Sequence, residues 1–349
     1  YRIEEDAPWL SNLESITFQE NETTSKILSL LKCMPNLKNL RIKAGSFYST
    51  SSDDTPTTPI HLPKLQYLQI FQRPCSEVLL ILEIITASPD CALLTDGMEA
   101  MHDLTTNNDP SAQRMCSAIL KWVIPYMTRR QLKFLALDVA ALSEHVRVLR
   151  FRETSGLDPG ETICPVSFDE KQPLSVEIPL NPYTAPAIKE LASSSAFSSV
   201  QQLLIFSSGN EHELVPIFKA CSSVKELVIE VHNAEIGALF SQSGSETAAP
   251  LFPSLHTVQM RDVCPHWTWS MRSADYFPSI FDFLEHRVEI GFPVSLLDLS
   301  YHVDVDIDEL PDHYISQLND IKGLAIKLAP LISYDTVTQD CIYVVLSSP

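Results

Sequence analysis

Along this chain the apolar residues keep returning to one nine-position pattern: apolar, Pro or Ser, polar, apolar, two mostly polar, apolar, any residue, apolar. It reads "MPNLKNLRI" from Met34 to Ile42, "LPKLQYLQI" from Leu62 to Ile70 and "FPSLHTVQM" from Phe252 to Met260. The same template fits "LSNLESITF" from Leu10, "FSSVQQLLI" from Phe197 and "CSSVKELVI" from Cys221. Looser copies begin at Arg129, Ser143, Phe292 and Leu318. A bare L-x-x-L-x-L spacing would occur by chance at roughly thirty sites in a chain this apolar. The full template, kept six times, is what carries information.

Stretches of helical period stand before the copies. In "TTSKILSLLKCM" the residues Ile27, Leu30, Leu31 and Met34 share one face, and in "EHELVPIFKAC" Leu214, Ile217 and Phe218 group together. "SEVLLILEIITAS" (Ser76 to Ser88), "YFPSIFDFLEH" and "PDHYISQLND" are of the same kind. Copies begin 24 residues apart from Leu10 to Met34 and from Phe197 to Cys221, and 31 apart from Cys221 to Phe252. One strand and one helix in each such interval is the period of a leucine-rich-repeat solenoid, and strict β-α alternation favours a parallel sheet. A single turn cannot bury its own apolar face, whereas a stack of turns can. Leu37, Leu40 and Ile42 are therefore expected to point between the layers. Pro35, Pro63 and Pro253 close the preceding helix by biasing the residue before them out of the helical region. A doubly wound enzyme sheet also alternates β and α, but its strands would not keep one template.

The expected fold is thus α/β: one solenoid over residues 1–349, ribonuclease-inhibitor-like, with parallel strands on the concave face and helices outside. Irregular insertions are expected near 44–61, 89–109 and 152–193. In this middle, "PSAQRMCSAILKWVIPY" (Pro110 to Tyr126) predicts a long helix burying Met115, Ile119, Trp122 and Val123, with Pro125 near its end. "SVEIPL" (Ser175 to Leu180) predicts a strand.

Composition narrows the function. The 349 residues are 45% apolar, enough for a large core. Lys and Arg number 25 against 44 Asp and Glu, a net charge of −19 that repels phosphate backbones, and no basic run offsets it. No apolar run approaches the roughly 20 residues of a membrane span. The eight cysteines contain no C-x-x-C pair and several fall in apolar helical patterns. They read as reduced residues of a cytoplasmic or nuclear protein rather than a disulfide framework. The chain opens at Tyr1 without methionine or signal peptide, so a longer protein is expected.

Candidate chemistry is thin. "HVDVDIDELPDH" (His302 to His313) alternates Asp304, Asp306 and Asp308, but an EF-hand loop needs Gly and Glu where Glu309 and Ile315 stand. Its expected form is a strand with the carboxylates in water. Cys264 and His266 lack a second ligand pair at zinc spacing. There is no G-x-S-x-G elbow, and nine glycines supply no phosphate-cradling loop. We expect no catalytic residue, no metal and no cofactor.

Function should then sit on the residues between the core positions of each strand, which face the concave side. The rule selects Asn39, Arg41 and Lys43; Tyr67, Gln69 and Phe71; Arg150 and Arg152; Glu226, Val228 and Glu230; and Thr257, Gln259 and Arg261. Trp267 and Trp269 in "CPHWTWSM" add two aromatic anchors of the type that dominates interface energies. The candidate partner-binding residues are Arg41, Tyr67, Phe71, Arg150, Arg152, Glu226, Glu230, Arg261, Trp267 and Trp269. The expected partner is a protein, bound by a monomer, with no nucleic acid and no membrane.

The imperfect "φ-P-x-L-x-x-L-x-I" rungs, the Ser/Thr/Pro-rich stretch "AGSFYSTSSDDTPTTPIH" (Ala44 to His61) and "FDFLEHRVEIGFPVSLLDLS" near the end resemble the repeat region of F-box/leucine-rich-repeat proteins of mushroom-forming fungi. The resemblance covers roughly residues 8 to 330. It implies substrate recruitment for a cullin–RING ubiquitin ligase, whose small adaptor is held by an F-box that precedes the repeats in that family. No F-box pattern stands before "APWLSNLESI" in this chain, so a free-standing leucine-rich-repeat scaffold or inhibitor is the alternative.

Overall fold

The computed structural model describes residues 4, 7–19, 22–43, 58–96, 110–143, 146–154, 174–180, 183–207, 214–230, 250–261, 277–301, 316–318, 320–327 and 343–345. The chain is mixed α/β with mostly parallel strand pairing. It divides into two compact units. Unit 1 comprises Tyr1–Gln131, Ala141–Glu153 and Glu170–Ala196; unit 2 comprises Leu132–Ala140, Thr154–Asp169 and Phe197–Pro349. The first boundary, Gln131/Leu132, lies within the loose template copy that begins at Arg129, and the last, Ala196/Phe197, stands at the start of the copy from Phe197.

In chain order the strands begin with β1 (Ser15–Phe18), β2 (Asn39–Ile42), β3 (Ile60–Leu62), β4 (Tyr67–Phe71), β5 (Ile85–Ala87) and β6 (Ala92–Asp96). The middle holds β7 (Phe134–Ser143), β8 (Val146–Glu153) and β9 (Ser175–Leu180). The rest are β10 (Gln202–Ser207), β11 (Glu226–Glu230), β12 (Thr257–Arg261), β13 (Leu296–Tyr301), β14 (Ala325–Lys327) and β15 (Tyr343–Val345). The helices are α1 (Thr24–Leu31), α2 (Cys75–Ile84), α3 (Pro110–Arg130), α4 (Ala185–Ser193), α5 (Val215–Ala220) and α6 (Phe277–Glu289).

In unit 1 the template copies from Leu10, Met34 and Leu62 become β1, β2 and β4, paired parallel with Ile16, Leu40 and Leu68 in one register. The hydrogen bonds repeat as well. The carbonyl of the fifth template position accepts from two successive N–H groups of the next copy: Glu14 O from Lys38 and Asn39, then Lys38 O from Gln66 and Tyr67. Asn36 Nδ2 donates to Ser11 O at 2.7 Å, a side-chain tie between adjacent copies. Leu37, Leu40 and Ile42 are buried, as the alternation requires. Helix α1 starts at an N-cap, Thr23, whose hydroxyl accepts from Lys26 N–H. It buries Ile27, Leu30 and Leu31. Buried Arg73 ties the next turn to it, donating to Lys43 O, Glu22 O and Glu77, whose Oε2 also accepts from Thr24 Oγ1. Strands β3 and β5 form a separate parallel pair.

The irregular middle is more ordered than the sequence suggested. Residues 92–96, where no rung was legible, form β6, parallel to β4. The predicted strand over 175–180 is β9, which continues the sheet beside β6. The template copy from Ser143 departs from expectation, because its strand β8 runs antiparallel to β9, pairing Arg150 with Glu177 and Arg152 with Ser175. Nonapeptide spacing specifies which side chains alternate inward and leaves the direction of the strand undetermined. Helix α3 continues past Pro125 to Arg130. A proline inside a helix costs about 3 kcal/mol, which the complete burial of Tyr126 and Met127 beyond it offsets.

In unit 2 the residues Phe134–Ala140 of β7, then β10, β11, β12, β13 and β14, pair parallel in that order, and β15 closes the series antiparallel. Leu135, Leu203, Leu227, Val258 and Leu297 share one register. The fifth-position carbonyls of Lys133, Gln201 and Lys225 each accept two N–H groups from the following copy, and Ser254 Oγ donates to Ser222 O at 3.0 Å. Phe218 of α5 packs against Phe252 in a tilted arrangement, with 5.7 Å between ring centroids.

Two loose copies were read out of register. Leu297 pairs with Val258, which places Gly291, not Phe292, at the first template position. Gly291 (φ +79°) ends α6: its N–H donates to Val288 O and that of Phe292 to Arg287 O, a Schellman close that needs the left-handed conformation. Phe292 is left 39% exposed. In the last copy Ile326, rather than Leu324, stands opposite Leu297, a shift of two residues from the template. Arg287, fully buried, donates from its two Nη atoms to Leu251 O (2.7 Å) and Leu255 O (3.4 Å) and lies against Phe283 and Phe292.

Candidate interaction surface

Strand alternation sends every second side chain to the sheet face away from the core positions. In unit 1 the register joins Thr17, Arg41, Gln69 and Leu94 into one row, which continues through Ser175 to Arg152. A second row runs Ser15, Asn39, Tyr67, Ala92, and Phe71 stands opposite Asp96. The sequence rule therefore brings Arg41, Tyr67, Phe71, Arg150 and Arg152 to one face of unit 1. It missed Leu94, Ser175 and Glu177, which belong to the same face through strands that lack the template. The alternation within "SVEIPL" is the one trace of them in the sequence.

Exposure along that face is graded. Ser15, Thr17 and Asn39 are exposed, Arg41, Lys43, Tyr67, Gln69 and Phe71 are half-buried, and Ala92, Leu94, Ser175 and Glu177 are buried. The open part is held in shape by its own contacts. Arg41 Nε donates to Gln69 Oε1 at 2.6 Å, and its guanidinium lies 5.8 Å from the Phe71 ring centroid, within cation–π range. The backbone of Lys43 is fixed from both sides, its N–H donating to Phe18 O and its carbonyl accepting from Arg73 Nε.

The closed part differs from expectation. Arg152 is 4% exposed, so it does not present a side chain to solvent. Arg150 pairs with the buried Glu177 carboxylate at 2.8 Å and is half-buried itself. Glu177 reaches Arg150 because β9 pairs with β8, which a reading of the templates alone could not anticipate.

Unit 2 shows the corresponding positions mostly shut. Ala136, Leu204, Phe206 and Val228 form an apolar cluster, each at most 3% exposed, and Gln259 and Asp298 continue its row in a buried state. Val228 and Gln259, expected on an open face, are thus core residues. Asp298 takes Lys327 Nζ on one carboxylate oxygen and the Ser300 hydroxyl and N–H on the other. Glu226 and Thr257 are half-buried. Glu230 pairs in register with Arg261, and the disposition of their side chains lies outside the described residues. So do Trp267 and Trp269, Cys264 and His266, and the carboxylates of 302–313.

Among the described residues no group of three or more His, Cys, Asp or Glu could hold a metal ion, and no helix is long and apolar enough to cross a membrane. Burial pushes the Cys91 and Cys116 thiols up to about 12 and raises that of Cys221 as well, so these sulfurs stay protonated and inert near neutrality. Burial and the bond from its hydroxyl to Glu153 Oε2 (2.6 Å) likewise raise Tyr126. Desolvation works against the charge of Arg287. No protein-family model matches the chain, and no curated protein shows significant similarity to it.

Proposed function

We propose that the chain is a non-catalytic protein-recognition module built of leucine-rich-repeat solenoid turns, and that it recruits substrate for an F-box-type ubiquitin ligase. The observation that carries the recognition reading is the set Arg41, Tyr67, Gln69 and Phe71, half-exposed on adjacent in-register strands, with Arg41 braced by Gln69 and Phe71. A cation beside two aromatics is the composition of interface hot spots, where truncation costs about 2 kcal/mol or more of binding. The ligase role rests on the resemblance of the rungs and of the Ser/Thr/Pro-rich insertion to that fungal family, and the adaptor would bind through an F-box lying outside these residues.

The test is a Tyr67→Ala, Phe71→Ala double variant. It should keep the parent melting temperature and lose the cross-linked partner identified with the parent chain. A variant that unfolds, or that keeps every partner, removes the assignment of this face. The ligase role is tested separately, by whether the full-length gene product co-purifies with a cullin–RING adaptor.

A further inference from the structure

The first template copy of unit 1 keeps core positions open that its successors close. Leu37 and Leu40 in the second copy, and Leu65 and Leu68 in the third, stand at the fourth and seventh positions and are at most 1% exposed. Leu13 and Ile16 hold those positions in the first copy, and both are only half-buried. Trp9, in the 3-10 turn Pro8–Asn12 that leads into the copy, is 51% exposed. Leu10 and Phe18, the first and ninth positions, are buried as in the later copies. A terminal turn that shields its stack from water carries a polar outer face; this one carries three open apolar side chains.

The backbone is open at the same place. Strand β1 stands at one end of the strand order, with β2 its one neighbour among the described residues. Lys38 and Asn39 donate to Glu14 O, and Gln66 and Tyr67 to Lys38 O, so each copy gives the N–H groups of its fifth and sixth positions to the copy before it. Glu14 and Ser15 are those positions in the first copy, and among the described residues no carbonyl accepts from them. Because Phe18 O is turned to Lys43 N–H, the backbone groups of Thr17 point to the other edge. Third-position side chains tie neighbours together as well, Asn36 donating to Ser11 O and Lys64 to Asn36 Oδ1. Asn12, the same residue type as Asn36, is exposed at the third position of the first copy. The strand itself, "SITF", has neither the charge nor the proline that blunts an exposed edge.

We propose that the open edge of β1 receives one more turn of the same template: a parallel strand with apolar residues against Leu13 and Ile16 and a carbonyl that accepts from Glu14 and Ser15. The contact is the one already made between the first and second copies and between the second and third, repeated once in the other direction. The order β1, β2, β4, β6 follows the chain, each parallel strand lying beside its predecessor. The turn on the far side of β1 therefore belongs to the polypeptide that leads into this sequence. A second copy of the chain is the weaker occupant, since two bodies of charge −19 repel. The added strand extends the exposed rows that start at Ser15 and Thr17, and the proposal does not depend on what those rows recognise.

The test is amide hydrogen exchange over Leu13 to Phe18, read by mass spectrometry with fragmentation to single residues, in this chain and in the complete gene product. The Ser15 and Thr17 amides should be at least about tenfold better protected in the complete product. Leu13→Glu in that product should abolish the gain while β2 exchanges as before. Asn12→Ala, at an exposed position, should reduce the gain by a smaller factor, and it keeps the test valid if Leu13→Glu loosens the whole unit. Equal protection in the two proteins would overturn the proposal. So would a gene product with fewer than 24 residues ahead of Tyr1, the length of one turn from Leu10 to Met34. Protection that rises with the concentration of this chain alone would give the edge to a second copy and overturn it too. No readout involves a partner on Arg41 or Tyr67, so the recognition reading stands or falls separately.

Discussion

Arg41 and Gln69 stand opposite one another on neighbouring parallel strands, and the Arg41 Nε–H donates to Gln69 Oε1 over 2.6 Å. The bond turns two face positions of separate sequence repeats into one rigid element, with Phe71 beneath the guanidinium. Gln69→Ala should cost at most about 1 kcal/mol of stability, because the pair is partly exposed and water replaces the lost acceptor. Its larger effect should be on order. The Arg41 Nε–H should exchange faster with solvent in the variant than in the parent, and an unchanged rate would show that the bond does not hold the side chain.

Leu40 in unit 1 and Leu227 in unit 2 occupy the same template position and are fully buried. Truncation of either to alanine removes transfer energy and leaves a cavity, so each variant should lose about 2–5 kcal/mol in chemical denaturation. Asn39→Ala, one residue away and exposed, should change stability by less than about 0.5 kcal/mol. Similar losses at Asn39 and Leu40 would contradict the alternation on which the whole face depends.

The buried thiols predict an alkaline limb. Cys91 and Cys116 have folded-state values near 12, raised from 9.0 by burial. Below pH 9 both states hold the proton and stability is unaffected. Between pH 9 and 12 the unfolded chain releases a proton that the folded chain keeps, so stability falls as pH rises, by up to about 1.4 kcal/mol per pH unit for each thiol. Urea titrations of Cys91→Ala, Cys116→Ala should show a shallower decline over this window than the parent. Parallel declines would mean that these thiols ionise alike in both states.

Arg287 is a buried cation whose two bonded partners are backbone carbonyls. Removing it strands Leu251 O and Leu255 O at about 1–3 kcal/mol for each buried unsatisfied group, while relieving the desolvation of a charge. Arg287→Met keeps apolar bulk between Phe283 and Phe292, whereas Arg287→Ala opens a cavity as well. The methionine variant should therefore melt above the alanine variant and below the parent. A methionine variant as stable as the parent would show that desolvation outweighs the two bonds.

Much of the strand order was legible because burial alternates locally. The template alone put Ile16, Leu40 and Leu68 in one register and Leu203, Leu227 and Val258 in another, and the structure pairs them so. It also assigned Ile27, Leu30 and Leu31, and separately Ile217 and Phe218, to the buried faces of α1 and α5. A repeated apolar spacing needs only its own neighbours in the chain to decide which side chains face inward.

What lies across the sheet is not local, and there the sequence was silent. The position of Arg152 relative to Leu149 and Phe151 told that it faces the other way, yet whether that face is open depends on tertiary packing over it, and Arg152 is buried. The same holds for Val228, which the alternation sends outward and the packing with Ala136, Leu204 and Phe206 buries. Arg41 could be placed on its strand from nine residues; that Gln69 and Phe71, about thirty positions on, would brace it required the tertiary register, since a parallel neighbour is brought alongside only when the connecting segment folds back.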